Sequence, residues 1–161
     1  MTPAATTDID AFLNALPPSG ALIGLDHGSK TIGVAISDSS RSVATPLTSL
    51  RKAKFARNAE ELGGLAGDNA VSGLVVGYPL NMDGSIGPSA QSARAFATNL
   101  ARALSLPVLL WDERLSTAAV ERMLVEGDAS RRRRAEIVDE TAAAYILQGA
   151  LDRLKAPARE G

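Results

Sequence analysis

Gly24-Leu25-Asp26-His27-Gly28-Ser29-Lys30-Thr31-Ile32-Gly33-Val34-Ala35 opens as the end of an apolar run, stops on an aspartate, turns, and resumes in alternation. The run covers residues 21–25, the polar turn centres on Gly28, and Ile32, Val34 and Ile36 then alternate with smaller residues up to Ser37-Asp38. Alternation at period two between turn signals predicts two strands joined by a short hairpin. Asp26 therefore sits where a buried strand emerges. An acid there must be hydrogen-bonded, paired or bound to a cation, because a lone buried charge is expensive.

Working outward, residues 1–7 are read as a mobile tail. Residues 8–16 are read as a short helix, capped by Thr7 or Asp8, with Ile9, Phe12, Leu13 and Leu16 on one face. After the hairpin, residues 43–50 form a weaker third strand and residues 52–67 a helix striped by Phe55, Ala59 and Leu62. Residues 71–76 make a short apolar strand closed by Gly77. Residues 78–87 are a loop in which Asn81, Asp83 and Gly84 carry turn chemistry. A helix over 88–104 has Pro88 in its first turn. Residues 106–111 form a last strand, apolar on both faces, and Asp112-Glu113-Arg114 ends it. A helix capped by Ser116 or Thr117 runs to about residue 126, and after the arginine run a final helix spans about 134–154. Helices alternate with strands only after the opening meander, which predicts an α/β fold with a mixed sheet flanked by helices. The domain reading is residues 1–20 as tail and short helix, 21–155 as one domain, and 156–161 as a C-terminal tail.

The 161 residues suffice for one domain with a proper core, and 45% hydrophobic residues is near the globular norm. There is no cysteine and one histidine, His27. Disulfides, thiolate metal sites and histidine-based zinc sites are excluded, so a metal must be held mainly by oxygen. The first ten residues lack a signal-peptide pattern, and no window approaches a membrane span of about 20 apolar residues. The expectation is a cytoplasmic protein with no membrane partner. Net charge is −1, so no global field attracts nucleic acid. Local patches remain: Arg51, Lys52, Lys54 and Arg57 form one, and Arg131 to Arg134 another.

Parallel strands place their C-terminal ends at one edge, where open α/β sheets bind ligands. Asp26 ends one strand, and Asp112 and Glu113 end another. Asp139 lies at helical spacing from Ala143, Ile146, Ala150 and Leu154, hence on or beside the apolar stripe of the last helix. Three carboxylates, Asp26, Glu113 and Asp139, then converge on one crevice. Converging carboxylates repel, and a hard divalent cation such as Mg²⁺ or Mn²⁺ relieves that, which is the chemistry of phosphoryl transfer. Taken singly, Asp26 also reads as a turn cap, Glu113 as part of a surface salt-bridge run, and Asp139 as an acid favoured at a helix N-terminus. Lys30 reads as a solvated hairpin residue or a phosphate contact. Gly24 to Thr31 is not a P-loop, since Ser29 separates Gly28 from Lys30 and a strand follows.

The opening stretch, together with Val76-Gly77-Tyr78-Pro79-Leu80-Asn81-Met82-Asp83-Gly84-Ser85, Asp112-Glu113-Arg114-Leu115-Ser116-Thr117 and Val138-Asp139 followed by Ala142-Ala143 and Ile146-Leu147-Gln148, resembles the YqgF family, also called RuvX. These are pre-16S rRNA nucleases and Holliday junction resolvase-like proteins. The resemblance covers about 21–154. It implies an RNase H-like fold with a five-stranded mixed sheet and metal-dependent cleavage of phosphodiesters during maturation of the 16S rRNA 5′ end. It implies Asp26, Glu113 and Asp139 as catalytic and metal-binding acids. Lys30, Arg114, Arg131, Arg132 and Arg133 are the expected nucleic-acid contacts. Two departures stand out: Thr31 where many members carry arginine, and His27 in the turn. The rival readings are an actin-like ATPase, which needs two such domains, a non-catalytic nucleic-acid-binding module of the same fold, and a resolvase of branched DNA. RNA against branched DNA, exo or endo mode, and monomer or homodimer all stay open at this level.

Overall fold

A computed structural model of the protein describes residues 5–115 and the helical backbone of 131–155, with side chains from 140 onward in that last segment. In chain order the elements are β1 (Ala5–Thr6), α1 (Ile9–Ala15), β2 (Ala21–His27), β3 (Thr31–Ser37), β4 (Ala44–Arg51), α2 (Phe55–Asp68), β5 (Val71–Tyr78), α3 (Pro88–Leu104), β6 (Val108–Asp112), a single 3₁₀ turn (Glu113–Leu115) and α4 (Arg131–Lys155). The strands form one six-stranded mixed sheet in the order β1-β6-β5-β2-β3-β4. β2 is central: it runs parallel to β5 and antiparallel to β3.

The period-two pattern sorts side chains to two layers. Ile23, Leu25, Ile32, Val34, Leu74 and Val76 pack with Leu62 of α2 and Phe96 and Leu100 of α3. Leu22, Ala35, Val75, Leu109 and Trp111 pack on the other face with Phe12 of α1 and Ala143, Ile146, Leu147 and Leu151 of α4. Strands apolar on both sides are what a sheet covered by helices on both faces requires. α4 lies close to β2. A methyl group at Gly24 would stand 2.6 Å from Leu147 Cβ and 2.9 Å from the Ala143 carbonyl oxygen.

The sheet has six strands and not five. Ala5 and Thr6, read as tail, pair in parallel with Val108 and Leu109 of β6. Two residues carry no periodicity, so only the pairing reveals them. α1 starts as its sequence predicts, with the Asp8 carboxylate accepting from the backbone N–H groups of Asp10 and Ala11. α2 begins at Phe55 and not at residue 52. The preceding residues are held elsewhere: Lys52 N–H donates to the Lys30 carbonyl, while buried Asn58 accepts from Ala53 N–H and donates to the Arg51 carbonyl. β6 begins at 108, because Pro107 has no N–H for the ladder. α4 takes in the arginine run as its first turn, so it begins before the expected 134. The helix expected over 116–126 and the C-terminal tail lie outside the described residues. Among the described residues no helix is long and apolar enough to cross a membrane.

Two outcomes follow from this packing. Gly24→Ala has no room for its methyl group, and the obstructing atoms are backbone and Cβ. Overpacking of this kind costs about 1–3 kcal/mol; urea unfolding checks it, and an unchanged midpoint would mean that α4 does not rest on Gly24. The second concerns the loop after β3, where Asp38 accepts from Ser40 Oγ and from the backbone N–H groups of Val43 and Ser42. These bonds, Ser40 first, hold its carboxyl at about 2 against an ordinary 3.8. Its folded pKa is depressed, so its contribution is present above 3.8 and lost as pH falls towards 2. An NMR titration of the Asp38 carboxyl carbon should show its midpoint near 2, and a midpoint at the ordinary value would contradict the bonding.

Candidate active site at the C-terminal ends of the central strands

Asp26 is the penultimate residue of β2 and only 8% exposed. It shares a face with Gly24, two residues back, and that face is the one covered by α4. Its cross-strand neighbour on β3 is Gly33. On the other side Leu25 pairs with Val76, which sets Gly77 beside Asp26 at the next position. The carboxylate thus lies between two residues without side chains. Asp26 is not isolated there, nor is Glu113.

Glu113 reaches the same place from β6. Gly77 pairs with Trp111 and Tyr78 with Asp112, so the 3₁₀ turn starts just past the strand ends. A methyl group on Gly77 would stand 2.7 Å from Glu113 Oε2 and 2.6 Å from Ile146 Cδ1. The Glu113 carboxylate therefore lies over the bare backbone of Gly77, on the α4 side and next to Asp26. The turn that aims it is built by its neighbours. Asp112 Oδ1 accepts from Arg114 N–H at 3.0 Å, and the Arg114 guanidinium grips the same carboxylate, with Nη2 to Oδ2 at 2.7 Å. That bonding holds the Asp112 carboxyl below its ordinary range and raises Arg114.

Arg114 Nη1 also donates to the Met82 carbonyl. It fastens the loop after β5, whose own turn is closed by Asp83 accepting from Ser85 N–H and Oγ and by Asn81 N–H donating to the Ser85 carbonyl. The structure gives this arginine, expected as a nucleic-acid contact, a role in tying loop to turn. Asn81 and Asp83 are turn formers, as their sequence context suggests.

α4 runs in the direction that brings residue 139 to this end. Gln148 donates to the Ser42 carbonyl and accepts from Ala44 N–H at the start of β4, whereas Glu140 Oε1 lies 3.5 Å from Ser49 Oγ near the end of β4. Ser49 pairs with Gly33, which pairs with Asp26. Asp139, one turn before Ala143 in the helix, stands at that same row by backbone position. The side chains of Asp139 and of Arg131, Arg132 and Arg133 lie outside the described residues. Among the described residues no three His, Asp or Glu side chains group as a metal site.

His27 follows Asp26 and takes the opposite face. It stacks on Phe96 of α3, ring centroids 4.3 Å apart and 12° between planes. Burial, with the Lys52 charge adding to it, lowers its pKa to about 4. At neutral pH it is an uncharged packing group. Lys30 stands exposed in the hairpin turn, and Arg51, Lys54 and Arg57 are exposed nearby. Lys52 is spent on the turn, donating Nζ to the Gly28 carbonyl. Sequence reasoning placed Gly77 and Asp112 at strand ends but missed what they do, the one making room for Glu113 and the other bracing its turn. A glycine in an apolar buried strand, a mark of close approach, was the available signal for the first; an aspartate two residues before an arginine was the signal for the second.

The chain was compared with known proteins. The family model described as RuvX, Holliday junction resolvase, matches residues 20–153. A protein of Paracoccus denitrificans (strain Pd 1222) is 60% identical over 148 residues, covering 92% of this chain and 94% of its own. One of Cereibacter sphaeroides (strain ATCC 17025) is 58% identical over 152 residues, with 94% and 95% covered. Each carries the description "putative pre-16S rRNA nuclease". Among solved structures, Thermus thermophilus RuvC in complex with a Holliday junction substrate superimposes with a TM-score of 0.53 at 12% identity, covering 85% of this chain and 97% of that one. At that identity the likeness concerns the fold alone, which is RNase H-like. With a family model matching nearly the whole chain and relatives at this identity, the chain belongs to the RuvX family.

Proposed function

We propose that the protein is a nuclease that hydrolyses nucleic-acid phosphodiesters, acting on the 5′ end of pre-16S rRNA in the cytoplasm, through a domain spanning residues 21–155. The observation that carries the reading is the Glu113 carboxylate laid over Gly77 beside buried Asp26. Two acids brought this close on a helix-covered face repel each other, and a bound cation relieves that repulsion. The donor set is oxygen only, which suits a hard ion of the Mg²⁺ or Mn²⁺ type. Asp26, Glu113 and Asp139 would hold it. When bound, such an ion neutralises charge building on the phosphate oxygens and acidifies water.

The chain's own residues supply the rest. The Asp112–Arg114 pair fixes the turn that carries Glu113. Lys30, with Arg131, Arg132 and Arg133, offers positive charge to the phosphate backbone, giving affinity and register without reading sequence. Arg114 contributes by holding the Met82 loop beside the site. His27, neutral on the far face, takes no part in proton transfer. The family description favours one second substrate, branched DNA. Cleavage of RNA and four-way junction substrates side by side, with and without divalent ion, separates the two.

Asp26→Asn keeps shape and loses charge. It should lower cleavage about 10³-fold, the loss of several kcal/mol of charge stabilisation, with an unchanged unfolding midpoint. Wild-type cleavage by the pure variant would sink the assignment. Gly77→Ala tests the geometry. Its methyl group must displace Glu113 Oε2 and Ile146 Cδ1, both flexible ends. Folding should therefore survive while cleavage falls about 10²-fold, as a misplacement of about 1 Å can cause. Equal losses of stability and activity would point to collapse of the α4 packing instead.

A further inference from the structure

At the sheet edge where Asp26 emerges, the hairpin turn and the end of β4 carry a group of cations. β2 and β4 are both antiparallel to β3, so the two strands end at this same edge. Asp26, Gly33 and Ser49 form one cross-strand row, with Ser49 beside Glu140 of α4. Arg51 pairs with Thr31, two residues further out, so it takes the same face of the sheet as Asp26. Two strand spacings, about 10 Å, and one outward step of about 7 Å separate the two residues. Lys30 is exposed in the turn, and Lys54 is exposed where α2 begins, at the same edge. Net charge over the whole chain is −1, so this is a local surplus. Among the described residues the one ion pair is Arg114 with Asp112, and Lys30, Arg51 and Lys54 hold their charge without an acidic partner there.

The backbone beneath these cations is fixed. Lys52 N–H donates to the Lys30 carbonyl at 2.9 Å and its Nζ to the Gly28 carbonyl at 3.1 Å, which ties the segment after β4 to the turn. Asn58, 2% exposed, accepts from Ala53 N–H and donates to the Arg51 carbonyl. Lys52 and Asn58 are thus taken up in holding the segment, while Lys30, Arg51 and Lys54 face solvent. Arg57 differs, since it borders a groove with Glu60, Glu61 and Asp68, which balance its charge. The described residues at the ends of β5 and β6 offer no such surplus: Asp83 and Asp112 stand there with Arg114, whose guanidinium is committed to Asp112. We propose that Lys30, Arg51 and Lys54 form a phosphate track, along which the strand being cut leaves the carboxylates over the start of β3 and the end of β4 towards α2. This rests on the nuclease reading above and adds Arg51 and Lys54 to its binding surface. Cations that neutralise phosphates give affinity and register without reading bases.

Salt dependence tests the track. The full-length Asp26→Asn protein is titrated with a labelled single-stranded oligoribonucleotide over a series of NaCl concentrations, Mg²⁺ being held at one low level, and binding is read by fluorescence anisotropy. Adding Arg51→Gln and Lys54→Gln should lower the slope of log K against log salt by about 1 or more, each contact to a single strand contributing about 0.7. The loss of affinity should be the same for strands of unrelated sequence. Arg51→Lys with Lys54→Arg keeps both charges and should keep the parent slope. Arg102→Gln, exposed in the last turn of α3 at the opposite edge, should keep it too. Lys54→Gln alone should lower the slope by about half as much as the pair, and decides the matter if the double variant folds poorly. An undiminished slope would overturn the track, as would an equal fall in the Arg102→Gln protein, which would mean that only net charge is felt. A loss confined to one sequence would overturn the phosphate assignment in favour of base contacts. In all these cases wild-type protein still binds and cuts the strand; failure of any strand to be bound or cut would overturn the nuclease reading itself.

Discussion

A carboxylate in the middle of a sheet, under a helix, governs the arrangement around it. Asp26 sits at the end of the central strand with little solvent access. Desolvating a charge is costly unless its surroundings return the lost interactions. The neighbouring strands answer by having no side chains at that row: Gly33 on one side and Gly77 on the other. The space freed at Gly77 is where Glu113 lies, and α4 closes over the sheet with Ile146 against Gly77 and the Ala143 carbonyl against Gly24. A larger residue at Gly77 would collide with Glu113 Oε2 and Ile146 Cδ1 and displace the carboxylate.

The two faces of the sheet divide the work. The α2 and α3 face is a continuous apolar layer, and even the polar residue at its rim, His27, is turned into packing by Phe96. The α4 face is apolar only as far as Ile146 and Leu147; beyond them the carboxylates begin. Polar bonding is concentrated on aiming. Asp112 and Arg114 spend themselves on each other, on the 3₁₀ turn and on the Met82 carbonyl, so Glu113 is carried by a braced segment. Sites perform when such supports hold them within a fraction of an ångström.

The hairpin, α1, α3 and both apolar layers were legible because each has a local signal: period two, an aspartate cap, a proline in the first turn. Spacing of four from Ala143 places Asp139 on the stripe of α4, while the end of the sheet it reaches is set by tertiary contacts of Glu140 and Gln148. What escaped was non-local. β1 has two residues and exists only by pairing with β6. Lys52 to Lys54 carry helical composition, yet Asn58 and the Lys30 carbonyl claim their backbone. The approach of Glu113 to Gly77 joins segments separated by α3 and β6, and no window of sequence contains both. The reach of Arg114 to the Met82 carbonyl, across 32 residues, is likewise invisible in any window of sequence.

The hairpin turn also bears on the ATPase reading, in which a strand-end aspartate and a glycine turn cradle phosphates with backbone N–H groups. Here the Gly28 N–H is already shared between the Asp26 and Thr31 carbonyls at 3.1 and 3.0 Å. A side chain at Gly28 would stand 2.8 Å from the Thr31 carbonyl oxygen, so the glycine serves closure of the turn. Lys52 caps the same turn from outside by donating to the Gly28 carbonyl. A turn that consumes its own donor cannot offer it to a phosphate. The negative end of the site therefore depends on carboxylates meeting across the sheet, with Glu113 arriving over Gly77 beside Asp26.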